Sequence, residues 1–260
     1  MPPLTPRLWD NRSRSNFGAL KAITAGSGPL VVLLHGVGLK AEAWNAQIDA
    51  LSGAGYRVIA PDMAGHGASP SGPASVQQFA ARAKPLLTEP AVIVGHSMGA
   101  MLALELAPNA KAVVALNAIY DRSTAAQAAV KTRADALDGT RMPDADPTLR
   151  RWFGDTASAA RTACATWLAE MDPAAYKTAY SVFATSNGPT AKQLKSLPCP
   201  ALFATGAAEP NSTPDMSRSM AELARQGHCA IIPDAAHMMP MTHADEVNAL
   251  LLRFLQAHHT

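Results

Sequence analysis

An α/β fold with a mostly parallel sheet is predicted by three observations. Short apolar runs recur along the chain, at Leu30–Leu34, Ala91–Val94, Ala112–Leu116 and Ala201–Ala204. The runs are continuous rather than alternating, as strands buried on both faces must be. Segments with helical spacing separate them, so successive strands are joined by right-handed crossovers and helices cover the sheet.

Composition narrows the class. A chain of 260 residues with 48% hydrophobic residues and a mean hydropathy of +0.01 can bury a large core, and disorder is excluded as a whole-chain reading. The 22 basic and 20 acidic residues nearly balance, and no basic run could follow a phosphate backbone, so nucleic acid is not an expected partner. Cys164, Cys199 and Cys229 are odd in number and widely spaced, which suggests neither a disulfide framework nor a metal site. No apolar stretch of about 18 residues or signal-peptide core occurs, so a soluble cytoplasmic protein without a membrane partner is expected. On that reading the Asn-x-Ser/Thr triplets at Asn11 and Asn211 are chance matches.

Residues 1–19 carry little periodicity and leave room for an edge strand. Strands are expected at Leu20–Ala25, Leu30–Leu34 and Arg57–Ala60, with a helix through Trp44, Ile48 and Leu51 between the last two. A helix near Val76–Leu87 leads to the strand at Ala91. Between Tyr120 and about Leu194 strand-like runs vanish, and Ala, Arg, Asp, Met and Trp appear at helical spacing. Breaks near Pro143–Pro147 and Pro173 divide this stretch into three or four helices. The expected division is therefore a core of residues 1–119 and 195–260 with a helical cap, 120–194, inserted after the sixth strand. Strand rhythm returns at Pro200–Gly206 and Ala230–Ile232, and a last helix runs over about Ala244–Gln256.

The chemistry is concentrated at Gly95-His96-Ser97-Met98-Gly99, a strand, a pinched turn and a helix start. Glycines on either side of the serine let strand and helix pass closely, and the helix N-terminus points its N–H groups at any oxyanion formed on the serine's target. Further motifs lie in order along the chain: His35-Gly36-Val37-Gly38, Asp62-Met63-Ala64-Gly65-His66-Gly67-Ala68-Ser69, Phe203-Ala204-Thr205-Gly206-Ala207-Ala208-Glu209-Pro210 and Asp234-Ala235-Ala236-His237. With these motifs the chain resembles the α/β-hydrolase superfamily over about residues 20–258. The resemblance implies an eight-stranded-type sheet and the chain order serine, acid, histidine.

On that resemblance Ser97 is the nucleophile and His237, between the last strand and the last helix, is its base. His243 competes less well because it falls at a helix start, and His96 is expected to point away as a packing residue. The acid position, three residues past Gly206, holds Glu209, one methylene longer than the family's usual aspartate; Asp121 is the rival acid and Asp215 a remoter one. The N–H groups of Val37 and Met98 match the family's oxyanion donors. Asp62 and His66 belong to a family turn and read as structural. Trp152 and Tyr176 in the cap, and Met238 after the base, are candidate substrate-binding residues. No cofactor or metal is implied.

Arg151-Trp152-Phe153 and Met171-Asp172-Pro173-Ala174-Ala175-Tyr176 resemble 3-oxoadipate enol-lactonases and carboxylesterase-like relatives. The expectation is a serine hydrolase acting on a small-molecule ester or lactone. A C–C bond hydrolase of ring-cleavage products uses the same residues, and a non-catalytic binding protein of this fold is the alternative of another class. A homodimer stays open.

Overall fold

The computed structural model describes Trp9 and residues 12–258; Asn11, the first residue of one triplet, lies outside the described residues. Eight strands form one sheet: β1 (Ser15–Phe17), β2 (Leu20–Ala25), β3 (Leu30–Leu34), β4 (Arg57–Pro61), β5 (Ala91–His96), β6 (Ala110–Leu116), β7 (Ala201–Gly206) and β8 (Gly227–Ile232). Their spatial order is β1-β2-β4-β3-β5-β6-β7-β8. β2 runs antiparallel to β1 and to β4, and every other pairing is parallel. This is the α/β-hydrolase architecture that the motifs imply.

The continuous apolar runs follow from the pleat. In β3, Leu30, Val32 and Leu34 enter one core while Val31 and Leu33 enter the other. β5 splits in the same way, with Ile93 on the first face and Val92 and Val94 on the second. Alternate side chains face opposite sides of a strand, so a sheet covered on both faces needs apolar residues at every position.

Helices α1 (Asn45–Gly53) and α11 (Ala244–His258) cover one face through Ile48, Leu51, Val247 and Leu251. Helices α2 (Val76–Ala83), α3 (Met98–Glu105) and α9 (Pro214–Leu223) cover the other through Phe79, Leu102 and Met220.

Between β6 and β7 lie five helices, α4 (Thr124–Asp135), α5 (Asp146–Phe153), α6 (Ala159–Glu170), α7 (Pro173–Thr185) and α8 (Ala191–Lys195). The two prolines mark helix starts: Pro147 lies in the first turn of α5, and Pro173 opens α7 behind the Asp172 cap, where a missing N–H costs nothing. The fifth helix, α8, is five residues held by the Thr190–Gln193 capping box, too short to register as a period. A further short helix, α10 (Met239–Thr242), follows β8. Among the described residues no helix is long and apolar enough to cross a membrane. All three cysteines are unpaired, Cys164 and Cys199 buried and Cys229 exposed.

Candidate active site

The site sits where the parallel strands end. Ser97 links β5 to α3 at φ 57 and ψ −118, a conformation L-residues rarely adopt. Its neighbours explain how the turn holds. A Cβ on Gly95 would lie 2.0 Å from the Gly99 carbonyl, and one on Gly99 would lie 2.0 Å from the Leu34 carbonyl. Only glycine permits that approach of helix to strand. Met98 opens α3, so its N–H has no acceptor within the helix and is available to an oxyanion.

His237 lies in the loop after β8. Its Nδ1–H donates to Glu209 Oε2 at 2.8 Å. Glu209, in the loop after β7, is buried, and its other oxygen Oε1 accepts the Asn211 N–H at 2.7 Å and the Ser212 N–H at 3.2 Å. Burial alone would raise the carboxyl pKa, but the His237 ring and these N–H donors outweigh it and hold Glu209 down at about 2. The carboxylate therefore stays charged and fixes the imidazole with its proton on Nδ1, leaving Nε2 as the acceptor.

Ser97, His237 and Val37 line one cavity of about 350 Å³, together with Trp152 and Tyr176. Trp152 stacks on the His237 ring at 6.0 Å and 22°. Among the described residues the Ser97 hydroxyl spends itself on no partner in the chain. Met238, in contrast, is 1% exposed, packs into the core and does not line the cavity, so its predicted substrate contact is corrected. A roomier hollow of about 480 Å³, bounded by Val76, Met101 and Leu197, has no histidine among its described lining residues and does not include Ser97.

The rival residues lie elsewhere. Asp121 is exposed, and its N–H donates to the Asn187 carbonyl. Asp215 is exposed and pairs with Arg218 at 2.7 Å. His243 Nδ1 meets the Thr242 hydroxyl at 2.9 Å. His96 turns away from the cavity, and its Nε2–H donates to the His237 carbonyl at 2.7 Å while Trp44 meets it edge-on. Burial, then the nearby His237, pushes the His96 pKa down to about 3, so it steadies the His237 loop as a neutral ring.

The loop bearing Val37 is held by two more buried histidines. Gly38 N–H donates to His66 Nε2 at 3.0 Å, and Met63 N–H donates to His35 Nε2 at 2.9 Å. Asp62 underpins both loops, accepting the Ala41 and Ala68 N–H groups, each at 2.9 Å, and the Arg14 guanidinium. Asp62 and His66 are thus structural in position.

Sequence reasoning missed Asn117, which follows β6 at φ 51 and donates Nδ2–H to Thr205 at 3.1 Å and Glu209 at 3.4 Å. An asparagine directly after a strand, where it tolerates a left-handed backbone, was the available signal. Also missed were Arg122, Arg133 and Arg151, which line the same cavity.

Comparison with known proteins agrees with this architecture. The model of the alpha/beta hydrolase family matches residues 31–250. The chain is 35% identical over 264 residues to the (E)-2-((N-methylformamido)methylene)succinate hydrolase of Acinetobacter baylyi, covering 97% of each protein. Among solved structures it resembles a thermophilic esterase from Thermogutta terrifontis (TM-score 0.82, 23% identity, 96% of this chain and 100% of that one). It also resembles the enol-lactonase of Burkholderia xenovorans LB400 (TM-score 0.79, 21% identity, 94% and 99%). The chain belongs to the alpha/beta hydrolase family and is a hydrolase.

Proposed function

We propose that the enzyme is a cofactor-independent serine hydrolase that cleaves a small ester or lactone through an acyl-enzyme on Ser97. The reading is carried by one observation: the strained Ser97 and His237, whose ring is held from behind by the buried Glu209, line a single cavity. Ser97 Oγ attacks the substrate carbonyl as its proton passes to His237 Nε2. Glu209 keeps the ring oriented and balances the imidazolium. The Val37 and Met98 N–H groups take the developing oxyanion, each lowering the barrier by about 3 kcal/mol. His237 then returns its proton to the leaving oxygen, and a water activated by the same ring releases the acid. Residues 120–194 serve as a cap, with Trp152 and Tyr176 over the acyl group.

The test is a stopped-flow burst with an activated aryl ester. Wild type should release one equivalent of phenolate ahead of steady turnover, and Ser97→Ala should lose the burst and at least about 10³-fold in kcat/KM. Equal turnover by the two proteins would sink the mechanism.

The Acinetobacter baylyi relative favours a second reading, because its named substrate carries a formamido group. The same residues would then attack an amide carbonyl, with His237 protonating a leaving nitrogen. A panel of lactones, short esters, N-substituted formamides and ring-cleavage diketones, ranked by kcat/KM, separates the readings.

A further inference from the structure

Three arginines converge on the cavity that holds Ser97 and His237. Arg122 comes from the turn after β6, Arg133 from the last turn of α4 and Arg151 from the last turn of α5. Among the described residues no aspartate or glutamate lines that cavity. Arginines on the outer side of the same helical segment behave differently: Arg150 pairs with Asp146 at 2.6 Å and Arg161 with Asp146 at 2.7 Å. Among the described residues Arg122, Arg133 and Arg151 have no carboxylate partner. Arg133 Nε–H donates to the Tyr180 hydroxyl at 3.1 Å, and Arg151 Nη2 to the Thr148 hydroxyl at 2.8 Å.

Arg122 is the most telling of the three. It is 6% exposed, with Nη1 donating to the Ser186 carbonyl at 2.7 Å and its guanidinium 4.6 Å from the Phe183 ring centre. Its Nη2 is buried with no hydrogen-bond partner among the described residues. It also directly precedes Ser123, the N-cap of α4, where the helix dipole disfavours a cation. Arg133 and Arg151 occupy helix C-terminal turns, which welcome positive charge, but that explanation fails for Arg122. Burial, and then the repulsion of Arg133, lowers the Arg122 pKa to about 10, and burial lowers Arg151 as well. A buried cation without a counter-ion costs stability, which the Ser186 carbonyl and the Phe183 ring offset only in part.

We infer that Arg122, Arg133 and Arg151 form a carboxylate-binding subsite, so that the substrate carries a free carboxylate besides its scissile bond. The guanidinium fork matches a carboxylate in two-point contact. The rest of the lining is apolar, with Ile119, Val130, Phe183 and Met216 among its residues, which suits a short carbon skeleton between the anion and Ser97. A cavity of about 350 Å³ admits a small acid of that kind.

Turnover of such a substrate rests on the serine-hydrolase reading, whereas binding does not, and the experiment uses both. The substrates are 4-nitrophenyl hydrogen adipate and its methyl ester, which differ by the free carboxylate alone. Wild type should prefer the acid at least about tenfold in kcat/KM, one charge-assisted contact's worth. Because Arg122 also secures the 186–187 loop, the variants are Arg133→Gln and Arg151→Gln. Each should lower the acid-to-ester ratio about tenfold, while Arg150→Gln on the outer face leaves the ratio unchanged.

Calorimetry of adipate with Ser97→Ala tests the subsite without catalysis: binding there, weakened about tenfold when Arg133→Gln or Arg151→Gln is added, supports it even if Ser97 proves dispensable for turnover. Equal kcat/KM for the two esters, or no adipate binding to Ser97→Ala, would overturn the proposal. Inorganic phosphate competing as well as adipate would overturn the carboxylate assignment.

Discussion

Glu209 is one methylene longer than the aspartate that the family resemblance implies at its position. Its extra methylene is absorbed by the loop after β7, where Asn211 and Ser212 N–H groups hold Oε1 while Oε2 meets His237. A glutamine there would keep the shape and lose the charge that balances the imidazolium. Glu209→Gln should therefore cost on the order of 10²- to 10⁴-fold in kcat/KM on an aryl ester, and Asp121→Asn should stay within about twofold of wild type. The reverse ranking would move the acid to Asp121. Ser97, Glu209 and His237 were readable as candidates because each sits in a short motif whose backbone must take one shape. The cavity arginines were not, since Arg122 and Arg151 lie 29 positions apart (151 − 122) and only folding brings them to one wall. Met238 misled for the converse reason: nearness in sequence to His237 says nothing about which side of the loop it faces.

At the scale of elements, the elbow is a packing requirement before it is a chemical one. α3 crosses β3 and β5 so closely that Gly95 and Gly99 each face a carbonyl at 2.0 Å from any added Cβ. Gly99→Ala must push α3 off the sheet or break the Ser97 turn, and should lower stability by at least about 3 kcal/mol in urea unfolding. Gly53, at the end of α1, has open space around its Cβ position. Gly53→Ala should be neutral or stabilise by up to about 1 kcal/mol. Similar losses for both variants would refute the close-packing account. The central strands were readable from their unbroken apolar runs, because both faces are buried. β1, α8 and α10 were not, being three, five and four residues long, too few for an apolar period to recur.

The whole molecule ties its site together with buried titratable groups, and that makes its stability depend on pH in a definite order. His35, His66 and His96 are buried, and burial is the leading cause that depresses each pKa below the ordinary 6.5. The unfolded chain takes up protons on these rings as pH falls through 6.5, whereas in the folded chain all three titrate lower, His35 and His96 at about 3. Stability is thus fully present above about pH 6.5 and declines as pH falls below it. Glu209 acts in a lower window. Its folded pKa of about 2 lies below the ordinary 4.5, so its contribution is present above 4.5 and is lost as pH falls through 2. Asp62, whose burial is outweighed by the Arg14 guanidinium and two backbone N–H donors, has its pKa lowered as well and follows the same sign. The urea midpoint should therefore be flat from pH 8 to 7 and begin to fall near pH 6, well before any carboxylate titrates. The slope should reach at least about 1.4 kcal/mol per pH unit, one proton's linkage. A profile flat down to pH 5 would mean that these rings are not held neutral. Because those protons are taken up by the unfolded chain, the Val37 loop braced by His35 and His66 and the His237 loop braced by His96 are lost together, through unfolding. Activity and stability should then decline in step on the acid side rather than in sequence.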